Sequence, residues 1–292
     1  MNPNVAAAPQ GGMFDIRWRI LGMQFRIQPS FWIVNAIFAW LIYGYVTGFL
    51  QLRADLLNYI LVWLFCTFVS VLIHEIGHVI TGRIFGQPGN VTLAGFGGQT
   101  TGEYEQLRVW QRIIFYAAGP AAGFGLVVFL VFFDPHTTGW NMLAEEFNRP
   151  KWKLEWCIID QIDPLMRMGA SRMYRLTLAI LLIFTIFSNV LNLLPIIPLD
   201  GGMIFKEFCC LIFPSTGLMI AFMWSMILAL GAASFYLMVV LINYRVLPRY
   251  FDYPFLFPEL SLFAFVVMAY RAYASYRELA SATHHSHYME RD

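Results

Sequence analysis

Two histidines and a glutamate stand in an otherwise apolar stretch, V-S-V-L-I-H-E-I-G-H-V-I-T, at residues 69–81. His74 and His78 are four residues apart, so on a helix their imidazoles leave one face and can converge on a single metal ion. Glu75 lies ~100° round the same helix. From there its carboxylate reaches a water on that metal without being a ligand, the placement a general base needs for metal-assisted hydrolysis. A charged side chain at mid-bilayer costs about 2.5 to 3.5 kcal/mol, so such groups in an apolar segment need partners. The competing explanation is a set of satisfied polar residues in a helix bundle.

A second polar cluster closes a later apolar run, S-N-V-L-N-L-L-P-I-I-P-L-D-G-G at residues 188–202. Pro195 and Pro198 must break any helix there, because each removes a backbone donor. The broken backbone and the lone carboxylate of Asp200 need partners, and a metal held by His74 and His78 supplies one. Asp200 as a helix N-cap before Gly201 and Gly202 is the alternative.

The elements that must position these residues are membrane spans. The chain of 292 residues is 59% hydrophobic and 13% charged, a balance that a soluble domain carries only with large exposed apolar patches. The expected fold is an all-α polytopic membrane protein, a single domain of about six transmembrane helices with a small membrane-embedded β segment. Spans are expected at residues 31–50, 56–85 and 113–133, within 172–199, at 218–241 and, more weakly, at 255–270. Residues 1–12 read as disordered, 18–28 as a short interfacial hairpin around Gly22, 134–171 as an extramembrane loop and 275–292 as a C-terminal tail whose end, 283–292, is solvated and disordered. Glycines in the third span, among them Gly119 and Gly123, read as sites of close helix packing.

Residues 86–102, G-Q-P-G-N-V-T-L-A-G-F-G-G-Q-T-T-G, are too short and glycine-rich to span. Non-helical backbone survives at membrane depth only against protein or a water-filled cavity, so this segment either lines the space beside the metal or is a surface hairpin. In the first case it can take up an extended substrate by strand addition, with Val91, Gly95, Gly97 and Gly98 as substrate-binding residues.

H-E-I-G-H paired with N-L-L-P-I-I-P-L-D-G-G resembles the site-2 protease family of intramembrane zinc metalloproteases. The resemblance extends to F-R-I-Q-P-S-F-W at residues 25–32 and the glycines near 97 and 98, and covers about residues 20–208. It implies that His74, His78 and Asp200 bind Zn2+, that Glu75 activates water, and that Asn192 contacts substrate or the developing oxyanion. Two positions depart from the family pattern: Gly123, where many members carry Asn, and Met203, where a basic residue often follows the glycine pair. The resemblance also implies a bacterial plasma membrane, with the active site toward the cytosolic side.

The expected activity is hydrolysis of peptide bonds within or near transmembrane segments of single-span membrane proteins, with a regulatory membrane partner as a further possibility. An ion-coupled transporter using Glu75 and Asp200, or a catalytically inactive relative that binds transmembrane helices, are the alternatives. A net charge of +1 without a sustained basic run argues against a nucleic-acid partner. The four cysteines suggest neither a disulfide framework nor a thiolate cluster.

Overall fold

The computed structural model describes residues 12, 14–20, 22–49, 55–133, 172–243 and 258–289. The expectations for residues 1–11, for the 134–171 loop and for Cys157 lie outside them. The order is β1 (Ile16–Ile20), β2 (Met23–Ile27), α1 (Pro29–Phe49), α2 (Leu56–Ile84), β3 (Asn90–Ala94) and β4 (Gly97–Thr101). A 3-10 turn (Tyr104–Gln106) then leads to α3 (Val109–Phe133), followed by α4 (Arg172–Asn192), α5 (Asp200–Ile212), α6 (Gly217–Asn243) and α7 (Pro258–Met289).

Among the described residues, three helical segments are long and apolar enough to cross a membrane: Leu56–Ile84, Val109–Phe132 and Gly217–Leu241. Pro29–Tyr43 and Leu176–Asn192 are shorter apolar helical segments. The fold is therefore mostly helical with a small sheet, and the described residues supply three such segments where about six spans are expected. Helix α7 continues into the C-terminal tail as far as Met289.

The first two hairpins form one sheet, in the order β1-β2-β3-β4. β2 runs parallel to β3, pairing Phe25 with Val91 and Ile27 with Leu93. A parallel pair needs a long crossover, and here α1 and α2 supply it. Strand alternation explains the attachment: Met23, Phe25, Ile27, Val91 and Leu93 are buried and share a core with Phe31 of α1 and with Val71 and Val79 of α2. Asn35 of α1 pins the far hairpin, donating from Nδ2 to the Gly95 carbonyl at 3.0 Å. β4 is left as an edge strand, and its G-G-Q-T-T sequence offers no large apolar side chain.

A second core joins α1, α2 and α4 through Ala39, Tyr59, Trp63, Cys66, Leu176 and Ile180. A third holds Ile196, from the link between α4 and α5, against Ala229 and Ala233 of α6 and Phe265 and Ala269 of α7. As the prolines require, α4 stops at Asn192 and the chain turns back on itself before Asp200. A Cβ at Gly201 would collide with the Leu193 carbonyl, and one at Gly202 with the backbone of Ile196. The glycine pair is thus what lets the link lie across the first turn of α5. The Ile197–Pro198 peptide in that link is cis, and the Ile197 N–H donates to Ser225 Oγ at 3.1 Å.

Candidate metal centre

His74, Glu75 and His78 lie on α2 and are all buried. The i, i+4 spacing brings the two imidazoles together, with Nε2 atoms 3.2 Å apart. Asp200 comes from the start of α5, with Oδ2 3.0 Å from His74 Nε2 and Oδ1 3.4 Å from His78 Nε2. The N-cap of α5 is Leu199 and makes no side-chain cap bond, so the N-cap reading of Asp200 does not hold. The three candidate ligand atoms lie within 4.8 Å of one another.

The opposite ring nitrogens decide what the Nε2 atoms can be. His78 Nδ1 lies 2.8 Å from the Phe115 carbonyl oxygen of α3, which can only accept, so this nitrogen carries the hydrogen. His74 Nδ1 lies 2.9 Å from Asn189 Oδ1 of α4. Asn189 Nδ2 is committed to the Thr185 carbonyl at 2.7 Å, which orients the amide so that its oxygen faces His74. In the neutral rings both Nε2 atoms are then lone pairs, and they face a carboxylate. Asp200 Oδ2 is itself buried without a hydrogen-bond donor. Three acceptors meeting in a buried space call for a proton or a metal cation among them. Two His nitrogens and a carboxylate oxygen are a donor set that suits zinc, so these residues fit that ion.

Space for the cluster comes from α3. A Cβ at Gly119 would collide with His78 Nε2 and come within 2.7 Å of His74 Nε2. A Cβ at Gly77 on α2 would strike the Ala118 carbonyl. The small residues do allow close packing, and at Gly119 the closeness belongs to the metal centre.

The profile of peptidase family M50 matches residues 62–232, more than half of the chain and all of this cluster. The chain belongs to peptidase family M50. That membership agrees with the site-2 protease likeness read from the motifs. The structure is similar to that of a site-2 protease from Methanocaldococcus jannaschii, at 16% identity over 89% of this chain and 94% of that one, with a TM-score of 0.44. No curated protein matches the chain.

In this M50 chain, the Glu75 carboxylate also meets the sheet, where Thr100 Oγ1 donates to Oε2 at 2.6 Å. A Cβ at Gly98 would collide with the Glu75 stem, so that glycine lets β4 lie against the carboxylate. Asn192 Nδ2 is 3.3 Å from His74 Nε2. A cavity of about 290 Å³ opens beside these groups, lined by His74, Glu75, Gly97, Gly98 and Asn192 among others. Its walls are mostly apolar, and α7 supplies Ser261, Ala264, Phe265 and Met268, one face of that helix.

The expected substrate-binding residues divide. Gly97 and Gly98 line the cavity, whereas Val91 is buried in the sheet core and Gly95 forms the hairpin turn at φ +56°. Sequence reasoning gave no role to Asn189 or Thr100, whose partners are 115 and 25 residues away. The only signal available for Asn189 was its polarity within an apolar helix.

Proposed function

We propose that the chain is a zinc metalloprotease that hydrolyses peptide bonds within or near transmembrane segments of single-span membrane proteins. The observation that carries this reading is the meeting of His74 Nε2, His78 Nε2 and the Asp200 carboxylate with both Nδ1 atoms already committed to oxygen acceptors. When bound there, zinc would lower the pKa of a water toward ~7 and polarise a peptide carbonyl.

The remaining chemistry falls to the chain's own side chains. Glu75 takes the proton of the attacking water and passes it to the leaving amine. Thr100 holds Glu75 in place through its hydroxyl. Asn192 presents an amide donor at the cavity wall, where it can stabilise the carbonyl oxygen as charge develops on it.

An α-helical substrate hides its carbonyls in i to i−4 bonds, so it must unwind before it can react. β4 offers replacement bonds because it is the open edge beside Glu75. Central β3, with partners on both sides, has none to offer. The apolar cavity walls suit the side chains of a membrane segment. We place the protein in a bacterial plasma membrane with the centre toward the cytosolic side, where a membrane partner can regulate it.

The test is co-expression with candidate single-span membrane proteins, comparing wild type with Glu75→Gln. Cleavage by the wild type alone is the expected result. A zinc-loaded wild type that binds such segments and cuts none of them would make the chain an inactive relative.

A further inference from the structure

We propose that Asn189 is a positioning residue that fixes His74 for metal binding, and that Gly123 is what leaves Asn189 the room to do so. The inference rests on the metal reading above. His78 is held from behind by a main-chain carbonyl, that of Phe115, which substitution does not remove. His74 is held from behind by a side chain, and its placement is therefore the one that a single substitution can undo.

Asn189 is 1% exposed and bridges two helices. Its Nδ2 ties it to its own helix at the Thr185 carbonyl, and its Oδ1 receives the His74 Nδ1 hydrogen from α2. That hydrogen bond selects the tautomer with a lone pair on Nε2 and sets the plane of the ring. A third helix completes the contact. On α3, a Cβ at Gly123 would collide with both Nδ2 and Oδ1 of Asn189, so any larger residue there must displace the amide from His74. Asn192 stands in a different relation to the ring, since its Nδ2 approaches Nε2 itself.

The full-length chain in detergent micelles, loaded with zinc or with cobalt, provides the test. Asn189→Leu keeps the volume and removes the acceptor, Asn189→Asp keeps an acceptor, and Gly123→Ala disturbs Asn189 from the opposite helix. The readouts are the rate at which zinc passes to a competing chelator, the visible spectrum of bound cobalt, and the zinc-dependent rise in Tm.

Asn189→Leu and Gly123→Ala should each lose zinc about 10- to 100-fold faster, the usual range for a lost hydrogen bond behind a ligand. Both should alter the cobalt spectrum, whereas Asn189→Asp should stay near wild type. The double variant Gly123→Ala with Asn189→Leu should lose zinc no faster than Asn189→Leu, because both changes break one contact. Zinc retention by Asn189→Leu at the wild-type rate, losses that add in the double variant, or an Asn189→Asp that behaves like leucine would each overturn the inference and leave the metal reading standing. A wild type that takes up neither metal would overturn both.

Discussion

Thr100 on β4 donates its hydroxyl hydrogen to Oε2 of Glu75 on α2 at 2.6 Å, tying the sheet to the carboxylate next to the first candidate ligand. A hydrogen bond to a charged group contributes about 1.5 to 3 kcal/mol. If that bond holds the base in its working position, Thr100→Val lowers kcat about 10- to 100-fold. Thr100→Ser should keep most of the activity, and both variants should keep their zinc. Zinc loss in parallel with activity would show that the valine had deformed the site.

The division between ligands and base predicts a division in metal content. Purified protein should hold about one zinc per chain. His74→Ala, His78→Ala and Asp200→Ala should lose it, whereas Glu75→Gln should retain it and be inactive. Full occupancy in Asp200→Ala, read by elemental analysis, would remove that residue from the centre.

Two glycines of α3 should behave oppositely although they are only six residues apart. A Cβ at Gly119 meets the histidine nitrogens, and one at Gly125 meets nothing within 4 Å. Gly119→Ala should therefore abolish zinc binding while Gly125→Ala leaves it intact. Equal metal content in the two variants would contradict the geometry at Gly119.

Arg112 at the start of α3 bonds through Nη2 to Glu207 Oε2 of α5 at 2.6 Å, and the Glu207 side chain is 3% exposed. This pair holds against α3 the helix that begins with Asp200. Arg112→Met leaves a buried carboxylate short of its main partner and should destabilise the protein by about 3 kcal/mol. The double variant Arg112→Met with Glu207→Leu should recover part of that loss, because the stranded charge is gone. Thermal unfolding of the three proteins checks the order, which fails if the double variant is the least stable.

A substrate paired along β4 is extended and contacts the strand with a period of two residues. Gln99, exposed on β4, can be replaced by cysteine in a Glu75→Gln background freed of native cysteines. Disulfide cross-links to a series of single-cysteine substrates should then be strong at alternate substrate positions. A period of three to four would show a substrate still helical at the edge, and strand addition would have to be abandoned. Helix-breaking residues near the cut should also speed cleavage.

Much of the site was legible in the sequence because it depends on local periodicity. Four-residue spacing put His74 and His78 on one helix face, two prolines ended α4 near Asn192, and Asp200 was a carboxylate that an apolar segment cannot leave alone. The glycine-rich run was legible as non-helical backbone, and the structure forms two strands there with Gly97 and Gly98 at the cavity. Only tertiary structure decided the rest. It joined two hairpins into one sheet across α1 and α2, with β3 in its interior and β4 at an edge. It set Asn189 behind His74, Thr100 on Glu75 and Arg112 on Glu207, and it turned two packing glycines into the space that these groups occupy. Spacing along a helix is fixed by its pitch and can be counted in the sequence. Which hydrogen-bond acceptor faces a given imidazole depends on how closely separate helices approach, and that distance is set by packing across the whole bundle.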